Sequence, residues 1–134
     1  MPSRKESDLT PFLQRVFFNC RAWYRRKFPG RDLILTCTYR SVAEQNKCYQ
    51  QGRTKPGRII TNIDGIKKKS MHNYRPSRAF DFAIMRNGKC VWDYRYFNSL
   101  WLFFREAKLT KKVSWGRDWT GTSFKDYPHI QEIL

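Results

Sequence analysis

An α+β domain with a central, mainly antiparallel sheet and helices packed on it is the fold class that the sequence predicts. Three observations carry it. Apolar stripes at helical spacing are interleaved with short β-branched runs. An Asn87-Gly88 dipeptide separates two alternating segments, which is a strong hairpin signal. The order of elements, α-β-α-loop-β-β-α-β-β, lacks regular βαβ crossovers and so argues against a parallel sheet. The 134 residues fit one domain, residues 1–134, and no repeat, linker or low-complexity segment divides them.

Each element follows from local chemistry. Thr10-Pro11 is a helix start, a threonine N-cap followed by proline at the first helical position. Leu13, Val16, Phe17, Cys20, Trp23 and Tyr24 then recur at helical spacing, and "FPG" at 28–30 ends the run. "DLILTCTYR" (32–40) reads as a buried strand. "SVAE" (41–44) has the form of a capping box and opens a helix that Gly52 stops near Gln51. Residues 52–70 are rich in Gly, Pro and Lys and read as a long loop, a kind that is usually functional or disordered. "AFDFAIM" (79–85) and "KCVWD" (89–93) form the hairpin around the Asn-Gly turn. "YRYFNSLWLFFREAKL" (94–109) reads as one apolar helix, "KVSWG" (112–116) as a short strand, and residues near 129–133 as the last strand.

Composition narrows the classes of function. Hydrophobic residues make up 40% and aromatics 16%, which excludes a disordered chain. No apolar run is long enough for a membrane span. "MPSRKESDLTPF" lacks an apolar signal core, so no signal peptide is expected and the chain is expected to begin its life in the cytoplasm. Cys20, Cys37, Cys48 and Cys90 form no CxxC pair and are expected to be free, mostly buried thiols. The net charge of +16 points to a polyanion nearby, whether nucleic acid, anionic lipid or a bacterial envelope.

"SMHNYRPSRAFDF" (70–82) holds one of the two histidines, His72, and an aspartate, Asp81, between two phenylalanines. An ionised carboxylate on a buried strand needs a partner such as a metal or an arginine. His72, Asp81 and the other histidine, His129, make a set that catalytic zinc uses, with the fourth position left to water. Zinc chemistry also needs a base near that water. Asp126 stands three residues before His129 in "DYPH", with Pro128 stiffening the backbone between them. Amide hydrolysis generates an oxyanion that a fixed cation stabilises. Arg40, at the end of the "LILTCTYR" run, is the candidate on a rigid element.

"TCTYRS" (36–41), "EQNKCYQQGRTKPGRIIT" (44–61), "SMHNYRPSRAFDF", "WGRDW" (115–119) and "DYPHIQ" (126–131) resemble the D-Ala-D-Ala carboxypeptidase / L-alanyl-D-glutamate endopeptidase family of zinc peptidases, and most of all its small phage endolysins. The resemblance runs in order from about residue 32 to 131. It implies one Zn2+ held by His72, Asp81 and His129 in a cleft across an antiparallel sheet. It implies Asp126 as catalytic base, Arg40 on the oxyanion, and Ser70 and Gln45 as substrate-binding residues. The family's commonest pattern is S-x-H-x-x-G-x-A-x-D. Here eight residues separate His72 from Asp81 rather than six, and "RPS" (75–77) stands where the glycine would be. "WGRDW" also carries Arg117 in place of a second glycine.

The implied function is a phage endolysin-like zinc peptidase that cuts the peptidoglycan stem peptide at the L-Ala–D-Glu bond. The alternative within the family is a D-Ala-D-Ala carboxypeptidase. Such an enzyme is expected to be a monomer made in the host cytoplasm, to carry no separate wall-binding domain, and to reach the wall through a separate pore. Its charge would favour the anionic envelope. A rival from another class is a basic nucleic-acid-binding protein, suggested by the charge, "RAWYRRK" (21–27) and "KKK" (67–69). That reading leaves His72, Asp81, Asp126 and His129 without a role.

Overall fold

Thr10 and Pro11 do start the first helix, α1 (Pro11–Lys27), where the Thr10 side chain accepts the Leu13 N–H. The computed structural model describes residues 1–119 and 125–133. After α1 come β1 (Arg31–Cys37), α2 (Val42–Gln50), β2 (Ala79–Arg86), β3 (Lys89–Val91), α3 (Tyr94–Asn98), α4 (Trp101–Glu106), β4 (Val113–Trp115) and β5 (His129–Glu132). Short 3-10 turns lie at Glu6–Asp8, Met71–Asn73 and Gly116–Asp118. The fold is α+β. No helix among the described residues is long and apolar enough to cross a membrane.

All strand pairs are antiparallel, in the order β1-β2-β5-β4, with β3 also paired to β2. Strand β2 is the centre. Its first residues pair with β5 and its last with β3, while β1 runs along its length. Asn87 and Gly88 both have positive φ (52° and 75°), as a type I′ hairpin turn requires. The side chains of β2 alternate. Phe80, Phe82 and Ile84 join Leu33, Ile130 and Trp115 in the core, against Leu13, Phe17 and Tyr24 of α1 and Phe97, Phe103 and Phe104 of α3 and α4. Asp81 therefore falls on the other face, and His129, its register partner on β5, falls there with it.

Two elements differ from expectation. The apolar run 94–109 is two short helices, not one. Ser99 Oγ donates to the Tyr96 carbonyl at 2.7 Å and Leu100 N–H bonds Phe97 O, tightening the backbone between them. Strand β1 stops at Cys37 rather than reaching Arg40. A bulge between Leu35 and Cys37 shifts its register, and the next residues take other partners: Thr38 N–H bonds Ser3 O, and Arg40 N–H bonds His72 O. All four cysteines are free; Cys20 and Cys37 are buried, but Cys90 on the edge strand β3 is exposed.

The loop from 51 to 70 has internal order. Asp64 Oδ1 accepts the backbone N–H groups of Ile66, Lys67 and Lys68, and Arg53 bonds Tyr49 O, Thr61 O and Asn62 Oδ1. The capping box of α2 is present, with Ser41 Oγ on Glu44 N–H and Glu44 Oε1 on Ser41 N–H.

Helix α1 is clamped to β1 by Asp32, whose carboxylate is gripped by Arg21 (2.9 and 3.0 Å) and Arg25 (2.7 Å, twice). Burial alone would raise its pKa, but the two guanidinium hydrogen bonds hold the carboxyl well below the usual range. A depressed folded pKa gives stability that is present above the unfolded value near 4 and is lost as pH falls through the folded value. Asp32→Asn is expected to unfold about 1 kcal/mol more easily at pH 7, the pair being partly exposed. That gap should shrink below about pH 4 in denaturant titrations.

Candidate metal centre and its cleft

His72 reaches the polar face of the sheet from the turn Met71–Asn73, which is pinned to the segment after β1. Ser70 Oγ accepts the His72 N–H, and the Asn73 side chain accepts Ser70 N–H and donates to Arg40 O at 2.7 Å. The His72 ring is 2% exposed, so its two nitrogens have no recourse to water. Nδ1 lies 2.7 Å from the Thr38 carbonyl, which can only accept, so Nδ1 carries the proton. Nε2 then presents a lone pair to Asp81 Oδ1, 3.3 Å away.

His129 shows the same arrangement from the opposite side. Its Nε2 donates to Gln131 Oε1 at 2.8 Å, two residues along β5 on the same face. Nδ1 is left facing the same Asp81 oxygen at 3.0 Å. Two imidazole lone pairs and a carboxylate thus point at one another with no proton assigned between them. Such a set repels itself unless a cation sits within it, and orienting the outer nitrogens is what holds a metal-ligating imidazole. The donor chemistry therefore fits a metal ion. Candidate ligand atoms within 4.8 Å of one another form two groups, Asp81 with Asp126 and His129, and Asp81 with Cys37 and His72; the two histidines fall in different groups and are joined through Asp81 Oδ1.

The charges follow the geometry. Burial opposes ionisation of Asp81, but imidazoles that take up a proton, standing where a cation would, hold its carboxyl far below the usual range. Burial drives the His72 pKa down. For His129 burial has the same tendency, but the Asp81 carboxylate outweighs it and the pKa rises, so with no ion between them the imidazole draws a proton toward Asp81. Burial and the Asp81 charge push the Asp126 carboxyl up to about 6, while His129 and Arg40 pull the other way.

Asp126 is positioned by backbone. It begins a turn in which His129 N–H bonds Asp126 O, while Pro128 O accepts the Phe82 N–H of β2. Trp115 Nε1 donates to Tyr127 O at 2.7 Å. Gly116 lies so close that a Cβ there would stand 2.1 Å from Asp126 O, which explains the glycine of "WGRDW". Gly116→Ala must displace the Asp126 backbone. It is expected to lower turnover at this site about 10- to 100-fold while metal content stays at the wild-type value. Unchanged activity would contradict a positioning role for this contact.

Arg40 lies three residues beyond β1 and is mostly buried. Its Nη2 is 3.6 Å from Asp81 Oδ2, and its Nη1 donates to Gln45 Oε1 at 2.9 Å. Its Nε has no acceptor among the described residues. Gln45 is 1% exposed and spends its amide on Arg40 and the Ile63 carbonyl. It stands behind the wall of the cleft rather than in it, which the sequence did not reveal. Ser70 does line the cleft, a space of about 390 Å³ that also includes Arg40, His72, Asp81, Asp126 and His129.

Two neighbours were not singled out from the sequence. Cys37 Sγ sits 3.7 Å from His72 Nδ1 and 3.5 Å from Arg40 Nη2. Strict alternation puts Cys37 on the core face with Leu35; the bulge turns it over. Burial raises its thiol pKa to about 11, so it stands as a neutral group beside the cluster. Trp119, 5.1 Å from the His129 ring, forms part of the cleft wall. The segment containing "RPS" does not line the cleft. Ser77 is fully buried and tied to the N-terminal segment through Asp8 O and Thr10 N–H.

Comparison with known proteins identifies a family and a fold for the chain. A family profile described as D-alanyl-D-alanine carboxypeptidase matches residues 64–132. The peptidoglycan L-alanyl-D-glutamate endopeptidase CwlK of Bacillus subtilis is 38% identical over 133 residues, covering 95% of this chain and 75% of that protein. The crystal structure of the L-Ala D-Glu endopeptidase ChiX of Serratia marcescens superposes with a TM-score of 0.71. That match covers 99% of this chain and 89% of the other at 22% identity, which is a likeness of fold.

Proposed function

The chain belongs to the D-alanyl-D-alanine carboxypeptidase family of peptidases (M15), and on that premise we propose that it is a zinc-dependent L-alanyl-D-glutamate endopeptidase of bacterial peptidoglycan. One observation carries the metal assignment: His72 and His129, each fixed by its outer nitrogen, turn their free nitrogens toward the same Asp81 oxygen. His72, Asp81 and His129 would hold the ion. Two imidazoles and a carboxylate suit zinc and leave a position open to water. Bound there, zinc would lower the pKa of a water and polarise the scissile carbonyl.

The protein's own groups supply the rest. Asp126 accepts a proton from the attacking water at its carboxylate and returns it to the departing amine. Burial, the largest influence on Asp126, disfavours its charged form and so strengthens it as a proton acceptor. The Arg40 guanidinium, held by Gln45 and Asp81, offers a fixed positive charge to the oxygen that becomes negative. Gln45 acts through Arg40 rather than on substrate. Ser70 Oγ already accepts the His72 N–H, which leaves its own proton to donate to a bound peptide.

The bond specificity rests on CwlK, the more identical relative, whose name states L-alanyl-D-glutamate cleavage. The family description favours a second reading, a D-Ala-D-Ala carboxypeptidase. Soluble stem peptides separate the two. Scission between L-Ala and D-Glu is expected, and release of terminal D-Ala alone would favour the carboxypeptidase. The proposal extends to a lytic role for a phage, with release to the wall through a separate pore. It is supported by the "QGRT" and "DYPHIQ" elements; the two relatives above are bacterial proteins.

A further inference from the structure

Residues 52–80 contain eight lysines and arginines and a single acid, Asp64. Asp64 is occupied by three backbone N–H groups of its own turn. None of the eight cations is in an ion pair among the described residues, whereas Arg21, Arg25, Arg40, Arg95 and Arg117 all are. Arg53 is spent inside the loop on backbone carbonyls. Lys55, Arg58, Lys67, Lys68, Lys69 and Arg75 are exposed, and Arg78 is half-buried. The same stretch supplies one wall of the cleft through Ile60–Ile63 and Ser70–His72, with Arg58 two residues before Ile60 and Lys69 directly before Ser70.

Part of this charge is held in place. The Arg75 guanidinium lies 4.9 Å from the Tyr39 ring centre. Lys69 Nζ and the Arg78 guanidinium both sit against Tyr74, at 4.4 and 4.6 Å. Stacking on a ring restrains an arginine without using its N–H edges, which remain able to grip a carboxylate. Arg75 and Arg78 flank Pro76 and Ser77, the stretch in which this chain is longer than the usual spacing. The lengthened segment therefore carries fixed cations outside the cleft, while its Ser77 anchors it to the body of the protein.

We propose that this basic rim docks the carboxylate groups of the peptidoglycan mesh, holding the protein on its polymeric substrate with the cleft against the stem peptides. The inference rests on the function proposed above, since that substrate is rich in peptide carboxylates. It predicts attraction that salt screens.

The test is sedimentation of the full chain with purified peptidoglycan sacculi across a salt series. Lys67→Gln/Lys68→Gln/Lys69→Gln/Arg75→Gln is compared with the charge-matched Arg26→Gln/Lys27→Gln/Lys111→Gln/Lys112→Gln; all eight residues are exposed. At low salt the rim variant is expected to bind about tenfold more weakly or worse, with a flatter salt dependence. The matched variant should stay within about twofold of wild type, because its cations lie outside the rim. Amidating the sacculus carboxylates should weaken wild-type binding to the level of the rim variant. Stripping phosphodiester polymers from the sacculi should leave binding intact. Equal weakening in both variants, binding that survives amidation, or binding lost on stripping phosphate would each overturn the proposal. Cleavage is read separately from the same tubes. Rim-dependent binding without new amino termini supports the docking surface while sinking the endopeptidase assignment.

Discussion

Asp126→Ala is expected to lower turnover on peptidoglycan by about 10² or more while the protein still binds one metal ion per chain. The separation of the two effects follows from position. Asp126 is not among the three groups whose lone pairs converge, but it lies within 4.8 Å of Asp81 and His129 across the candidate ligand atoms. Its backbone is fixed by Gly116, by Trp115 through Tyr127, and by its own turn to His129, so the substitution removes a carboxylate and not a scaffold. Asp126→Asn keeps the shape and removes the basicity, and it should be as slow as alanine. Full activity in either variant, with metal measured in the same sample, would remove Asp126 from the reaction.

His129→Ala is expected to lose both metal and activity. With the ring gone, Asp81 keeps His72 and Arg40 as neighbours, but the set loses the ligating nitrogen 3.0 Å from Asp81. Gln131 loses the group it orients. The loss should appear as metal content well below one equivalent after dialysis, with weaker zinc affinity by titration. Gln131→Ala acts at one remove. It frees the outer nitrogen and should reduce metal affinity about 10- to 100-fold without abolishing binding. A His129→Ala protein that holds zinc as tightly as wild type would show that the ligand set is drawn wrongly.

Much of this site was legible in the sequence because it rests on alternation. Asp81 between two buried phenylalanines must face away from the core, and a charge there asks for a partner. The capping box at Ser41 and the Asn-Gly turn specify their own geometry over a few residues, and both are present. What the sequence hid depends on longer-range or irregular backbone. The bulge in β1 inverts Cys37, and no residue type in "TCTYR" announces it. The break between α3 and α4 comes from a single serine bond within an otherwise helical pattern. Gly116 matters because another segment lies against it, not because of its own φ. The family resemblance implies Gln45 as a substrate-binding residue, yet a helix can turn such a side chain inward, where it holds Arg40.

Metal-dependent scission of the stem peptide is read out by labelling of new amino termini. Purified peptidoglycan is digested by the protein as prepared, after treatment with a chelator, and after zinc is restored. New D-Glu amino termini are expected that disappear with the chelator and return with zinc. Digestion that proceeds unchanged under the chelator, or no new amino termini in any arm, would contradict metal-dependent scission.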